Sequence, residues 1–71
     1  MRLVEWFNKL RASLNPNNIS ERAILMMLEA TPFRVHHLYQ VLRGLHALQK
    51  YELLPSEEDI KEWLRSGEVV N

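Results

Sequence analysis

Apolar side chains recur along this chain at helical rather than strand spacing. Leu3, Trp6, Phe7, Leu10 and Leu14 stand at i, i+3, i+4, i+7 and i+11, which is one face of a helix. The pattern predicts a first helix over roughly residues 2–14. Asn15-Pro16-Asn17 closes it, since proline disfavours helical backbone in the residue before it.

Asn18 opens a second helix, with Glu21 three residues on as a variant of the capping box. It should run to about Ala30. Its centre, Ile24-Leu25-Met26-Met27-Leu28, is apolar without a break. A strand competes for this stretch, but Ala, Met, Leu and Glu are helix formers. Five consecutive residues point all round a helix, so no narrow stripe can bury them all. Such a helix is either central in the fold or covered on two sides.

Thr31 as N-cap and Pro32 at the first helical position predict a third helix from Pro32 to about Glu52, which is about 30 Å at 1.5 Å per residue. Leu38, Val41, Leu42, Leu45 and Leu48 form its apolar stripe. Gly44 inside it costs about 1 kcal/mol relative to alanine, which a close helix–helix contact would offset. Tyr51-Glu52-Leu53-Leu54-Pro55 reads as an elbow, after which Ser56 caps a fourth helix. Glu57, Glu58 and Asp59 fill its first turn, where the helix dipole favours acids. Ile60, Trp63 and Leu64 supply its buried face, and Gly67 suits the residue just past its end. The tail, residues 68–71, reads as extended. Loops of two to four residues favour antiparallel neighbours. The expectation is an all-α fold of four helices in antiparallel helical-hairpin, repeat-like superhelical packing, as one domain over residues 1–71.

Composition sharpens this picture. An apolar fraction of 46% argues against disorder. At 71 residues with no cysteine, the chain has a small core and no covalent staple, which suits both a chain completed by a partner and an ordinary self-sufficient helical domain. No apolar run approaches the length of a membrane span. Net charge is zero but uneven: residues 1–50 carry seven basic and three acidic side chains, a net of +4, and residues 51–71 carry two and six, a net of −4. Such a dipolar chain can steer its docking but lacks the net basic face that general nucleic-acid binding needs. The first fifteen residues, with Arg2, Lys9 and Arg11 against Glu5, are compatible with a mitochondrial targeting segment, with peripheral docking at a membrane surface and with a plain core-packing helix.

Candidate chemistry is sparse. His36 and His37 are adjacent and His46 is distant, so no i, i+4 histidine pair exists to hold a metal. Glu57, Glu58, Asp59 and Glu62 are explained by the helix dipole, and Ser13, Ser20, Ser56 and Ser66 by helix ends. The two glycines are too far apart for a phosphate loop. No catalytic, cofactor-binding or metal-binding residues and no small-molecule substrate are expected. Tyr39, Arg43, His46 and Lys50 at i, i+4, i+7 and i+11 form a basic stripe of the kind a recognition helix presents, and equally the solvated side of any amphipathic helix.

Surplus apolar and aromatic side chains are the remaining lead, because interface centres are enriched in them. The expected partner-binding set is Trp6, Phe7, Met26, Met27, Tyr39, Arg43, Tyr51 and Trp63.

Tyr39, Arg43-Gly44-Leu45, Leu48, Tyr51-Glu52-Leu53-Leu54-Pro55, Ile60 and Leu64-Arg65 together resemble the cytochrome c oxidase subunit Va family, called subunit VI in yeast. The resemblance is confined to residues 39 to 65. It implies an all-helical superhelical subunit on the matrix side of the mitochondrial inner membrane, holding no haem or copper and docking by surface complementarity. The expected function is therefore a non-catalytic accessory or structural subunit of a larger assembly, with mitochondrial cytochrome c oxidase as the assembly the resemblance names. The alternatives are a helix-turn-helix-type nucleic-acid-binding regulator and a small inhibitor occupying the surface of a host enzyme, either of which would be cytoplasmic.

Overall fold

A computed structural model describes residues 1–71. The chain forms α1 (Leu3–Ser13), α2 (Ile19–Met27), α3 (Val35–Ala47) and α4 (Glu57–Ser66), with one 3-10 turn, Tyr51–Leu53, ahead of α4. The all-helical, four-helix architecture is the one expected. It measures 34 × 24 × 18 Å along its principal axes.

Local signals set most helix ends. Asn18 Oδ1 accepts from the Glu21 amide at 3.1 Å, capping α2. The Glu21 carboxylate does not return to Asn18. It accepts from the Asn15 amide at 3.1 Å and pairs with Lys50 Nζ at 3.7 Å, which ties the α1–α2 turn to the end of α3. Ser56 Oγ caps α4 by accepting from the Asp59 amide at 3.1 Å. Gly67 closes α4 in the left-handed region at φ 66°, where glycine has no Cβ to crowd.

The third helix departs from expectation at both ends. It begins at Val35, not Pro32, because Phe33 is engaged elsewhere. The Phe33 amide donates to Val70 O at 2.7 Å and the Val70 amide donates to Phe33 O at 3.1 Å. This antiparallel bridge holds residue 33 extended and ties the C-terminal tail to the centre of the molecule. The helix ends at Ala47, not Glu52. The amides of Gln49 and Lys50 donate back to His46 O at 3.0 Å and Leu45 O at 2.9 Å, the paired bonds of a Schellman closure. Gln49 takes its left-handed position at φ 57°, where glycine is the usual occupant. The α2–α3 connection, Leu28 to Arg34, is consequently longer than the expected two to four residues.

All four helices contribute to one apolar core. The α1 stripe is buried in full: Leu3, Trp6, Phe7, Leu10 and Leu14. Trp6 and Trp63 lie with ring centroids 5.7 Å apart, joining α1 to α4. Both indoles are satisfied, as buried tryptophans require: Trp6 Nε1 donates to Leu53 O at 2.9 Å and Trp63 Nε1 to Met1 O at 2.9 Å. Phe7 meets Phe33 edge-to-face at 5.2 Å. On the other side α2 packs on α3, with Gly44 set against Ile24. A Cβ there would lie 3.2 Å from Ile24 Cγ1. The anticipated close contact is real, and it explains a glycine in mid-helix.

Candidate docking surface

The α1–α4 side of the molecule is sealed by tryptophan, and the α2–α3 side is not. The apolar row of α2 divides as a helix must divide it: Ile24 and Leu28 are buried, Leu25 and Met27 half-buried, and Met26 exposed. One turn before Met27 lies Ala23, one turn before that lies Ile19, and Met26 extends the row outward. Ile19 is 88% exposed and Met26 62%. Ile19, Ala23 and Met26 thus share the outer side of α2, turned away from the buried Ile24.

The facing side of α3 is built differently. Gln40, Gly44 and Ala47 fall at i, i+4 and i+7 and, with Met27 and Arg43, line an open groove of about 420 Å³ between the two helices. The next row outward carries Tyr39, Arg43 and His46, all exposed, with His36 beside them. Arg43 belongs to none of the three ion pairs of the molecule. The groove therefore has Met27 on its α2 side and Gln40, Arg43, Gly44 and Ala47 on its α3 side.

The histidines have local partners. His37 Nδ1 accepts from the Arg34 amide at 3.0 Å and so caps α3 in place of the expected Thr31. Desolvation lowers the pKa of His37 below the ordinary 6.5, and the charges of His36 and Arg34 push it the same way. The His37 ring also stacks on Phe33 at 5.7 Å, and His46 meets the edge of Tyr51 at 5.2 Å.

Three of the side chains expected to bind a partner are core residues instead. Trp6, Phe7 and Trp63 retain 4%, 6% and 1% of their exposure, because each lies on the face of its helix that the other helices cover. Met27 is half-buried. Met26, Tyr39, Arg43 and Tyr51 remain on the surface. The groove unites Met27 with Arg43, while Met26 and Tyr39 lie outside it on the exposed sides of α2 and α3. Tyr51 instead lies in the 3-10 turn against His46. Leu64, expected inside α4, is 38% exposed. Gln40 and Ala47 of the groove and Ile19 and Ala23 on the outer side of α2 are not in the expected set, although spacing from Gly44 and from the Asn18 cap aligns each pair on one side of its helix.

The expected basic stripe is also shortened, because Lys50 lies past the end of α3 and is paired with Glu21. The connection from Leu28 to Arg34 exceeds the three- or four-residue turn of a helix-turn-helix. No helix is long and apolar enough to cross a membrane.

No protein-family model matches the chain, and neither the curated proteins nor the solved structures contain a match to it.

Proposed function

We propose that this chain is a non-catalytic accessory domain that docks on a larger protein assembly through the outer face of α2 and α3. One observation carries the reading. Ile19, Ala23 and Met26 align on the solvent side of a helix whose opposite side is already packed. Single exposed apolar residues are ordinary on any surface. A row of them two turns long, beside a methionine-lined groove and an exposed tyrosine, has the composition of an interface centre. The finer reading, an accessory subunit of the respiratory oxidase on the matrix side of the mitochondrial inner membrane, rests on the resemblance over residues 39 to 65.

Affinity capture with the tagged chain tests the docking role. The wild type should retain a stoichiometric protein partner. The Ile19→Asp/Met26→Asp variant should lose it while melting at the wild-type temperature. Equal retention by both forms would refute docking through this face. The oxidase reading adds a requirement that the chain co-migrate with the assembled oxidase on native gels.

A further inference from the structure

Building on the docking role proposed above, we infer that the outer side of α2 is self-complementary and that, in the free chain, a second copy covers it in antiparallel two-fold packing. Ile19, Ala23 and Met26 form the apolar strip of that side. One edge of the strip carries Arg22 and, about two turns on, Glu29, both exposed. The turn after α2 keeps Glu29 close to helical register, since its amide donates to Met26 O at 3.1 Å. Neither charge is used within the chain, whose ion pairs are Met1–Asp59, Lys50–Glu21 and Arg65–Glu62. Arg11 lines one hollow together with Glu29 but does not pair with it.

Symmetry fixes what these two charges meet. A two-fold axis across antiparallel helices sets each edge beside the same edge of the other copy, running the opposite way. Arg22 of one copy then faces Glu29 of the other, and Glu29 faces Arg22, so one contact yields two ion pairs. Met26 falls beside the axis, and the small side chain of Ala23 lets the backbones approach. The exposed side of α3 has no such match: it carries Arg34 and Arg43 and no acid, so its own copy would supply no counter-charge. The α2 strip is short, well below the roughly 800 Å² per partner of a standard interface. The pair is therefore weak, with a dissociation constant on the order of 100 μM, and yields to a larger partner on the same side.

Sedimentation equilibrium and an NMR dilution series of the isotope-labelled full chain test the pairing. The wild type should associate as its concentration approaches about 1 mM, with dilution shifts at the amides of Arg22, Ala23 and Met26. Arg22→Glu and Glu29→Arg, both at exposed sites, should each weaken self-association about tenfold, because each sets like charges against one another across the axis. An equimolar mixture of the two variants should associate as tightly as the wild type, since one then carries only glutamate and the other only arginine at the two positions. The inference is overturned if the wild type stays monomeric at that concentration, if the shifts map to α3 or α4, or if the mixture associates no better than its components. A monomeric wild type that captures a partner lost by Ile19→Asp/Met26→Asp would discard the second copy and keep the docking role. Self-association with capture unchanged in that variant would discard the docking role and keep the pairing.

Discussion

The α1–α4 and α2–α3 halves of this molecule treat comparable apolar material in opposite ways. Between α1 and α4, two tryptophans meet at 5.7 Å and each indole N–H reaches a backbone carbonyl. Between α2 and α3, Ile24 packs against Gly44, while Met26 and Ile19, on the other side of α2, remain outside. The lesson concerns position rather than hydrophobicity. Large aromatics were absorbed because their helices turned them toward one another. Met26 and Ile19 stayed exposed because they lie on the side of α2 turned away from Ile24 and the core.

The sharpest way to break this contrast is to remove a tryptophan. Trp63→Ala would delete the ring packed on Trp6 and the hydrogen bond to Met1 O. A large aromatic-to-alanine change in a core costs about 3–5 kcal/mol. A domain of this size commands roughly 5 kcal/mol in all. Trp63→Ala should therefore leave the chain largely unfolded at 37 °C, as read by circular dichroism and urea titration. A loss below about 1 kcal/mol would mean that this side is not the stabilising half.

The second half is sharpened by filling its closest contact. Gly44→Leu would drive a side chain against Ile24, and overpacking of this kind costs about 1–3 kcal/mol. Gly44→Ala sets the gain in helix propensity, about 1 kcal/mol, against a Cβ placed 3.2 Å from Ile24 Cγ1. A double-mutant cycle with Ile24→Ala should show coupling between the two sites, since that change removes both the Cγ1 and the Cδ1 that the new Cβ would meet. Additivity would mean that Gly44 and Ile24 do not meet.

These two regions also show what the sequence could and could not disclose. The α1 stripe and the Asn18, Ser56 and Gly67 caps were legible because each depends on residues within a turn or so of one another. Gly44 was legible as a contact because its propensity cost called for compensation. The start of α3 was not legible, because Thr31-Pro32 carries a local start signal that a pairing with Val70, far along the chain, overrides. Its end was hidden because glutamine, not glycine, holds the left-handed position. Trp6 and Phe7 carried two competing signals, membership of a core stripe and apparent surplus bulk, and periodicity was the stronger guide. The groove escaped because it depends on how α2 and α3 are juxtaposed, which spacing within either helix alone does not state.

The two left-handed helix ends offer a smaller test. Gln49 closes α3 at φ 57° and Gly67 closes α4 at φ 66°. Left-handed backbone costs a residue with a Cβ about 1 kcal/mol relative to glycine. Gln49→Gly should stabilise the chain by up to about 1 kcal/mol, and Gly67→Ala should destabilise it by a similar amount. Opposite shifts in denaturant midpoint with an unchanged slope would establish this. Shifts of the same sign would contradict it.

The His37 cap gives a pH signature confined to the start of α3. A protonated Nδ1 cannot accept from the Arg34 amide. Because the folded pKa lies below the ordinary 6.5, the unfolded chain binds the proton more readily. The stability from this cap is therefore complete above about pH 6.5 and is lost as pH falls through the folded value. The melting temperature should decline over that acidic interval. His37→Gln keeps an acceptor at the capping position without an imidazole to titrate, so it should flatten the decline. An equally steep decline in the variant would assign it to other groups.

The smallest expected effect tests the open side most directly. Ile19→Ser and Met26→Ser replace exposed apolar residues that contribute little burial in the isolated chain. Surface changes of this kind fall within about 0.5 kcal/mol, so neither should move the denaturant midpoint detectably. If the outer face of α2 is an interface, the same substitutions should still weaken partner capture. A stability loss near that of Trp63→Ala would show that these residues are covered within the chain itself. The contrast between a sealed half and an open one would then fail, and the docking role would fail with it.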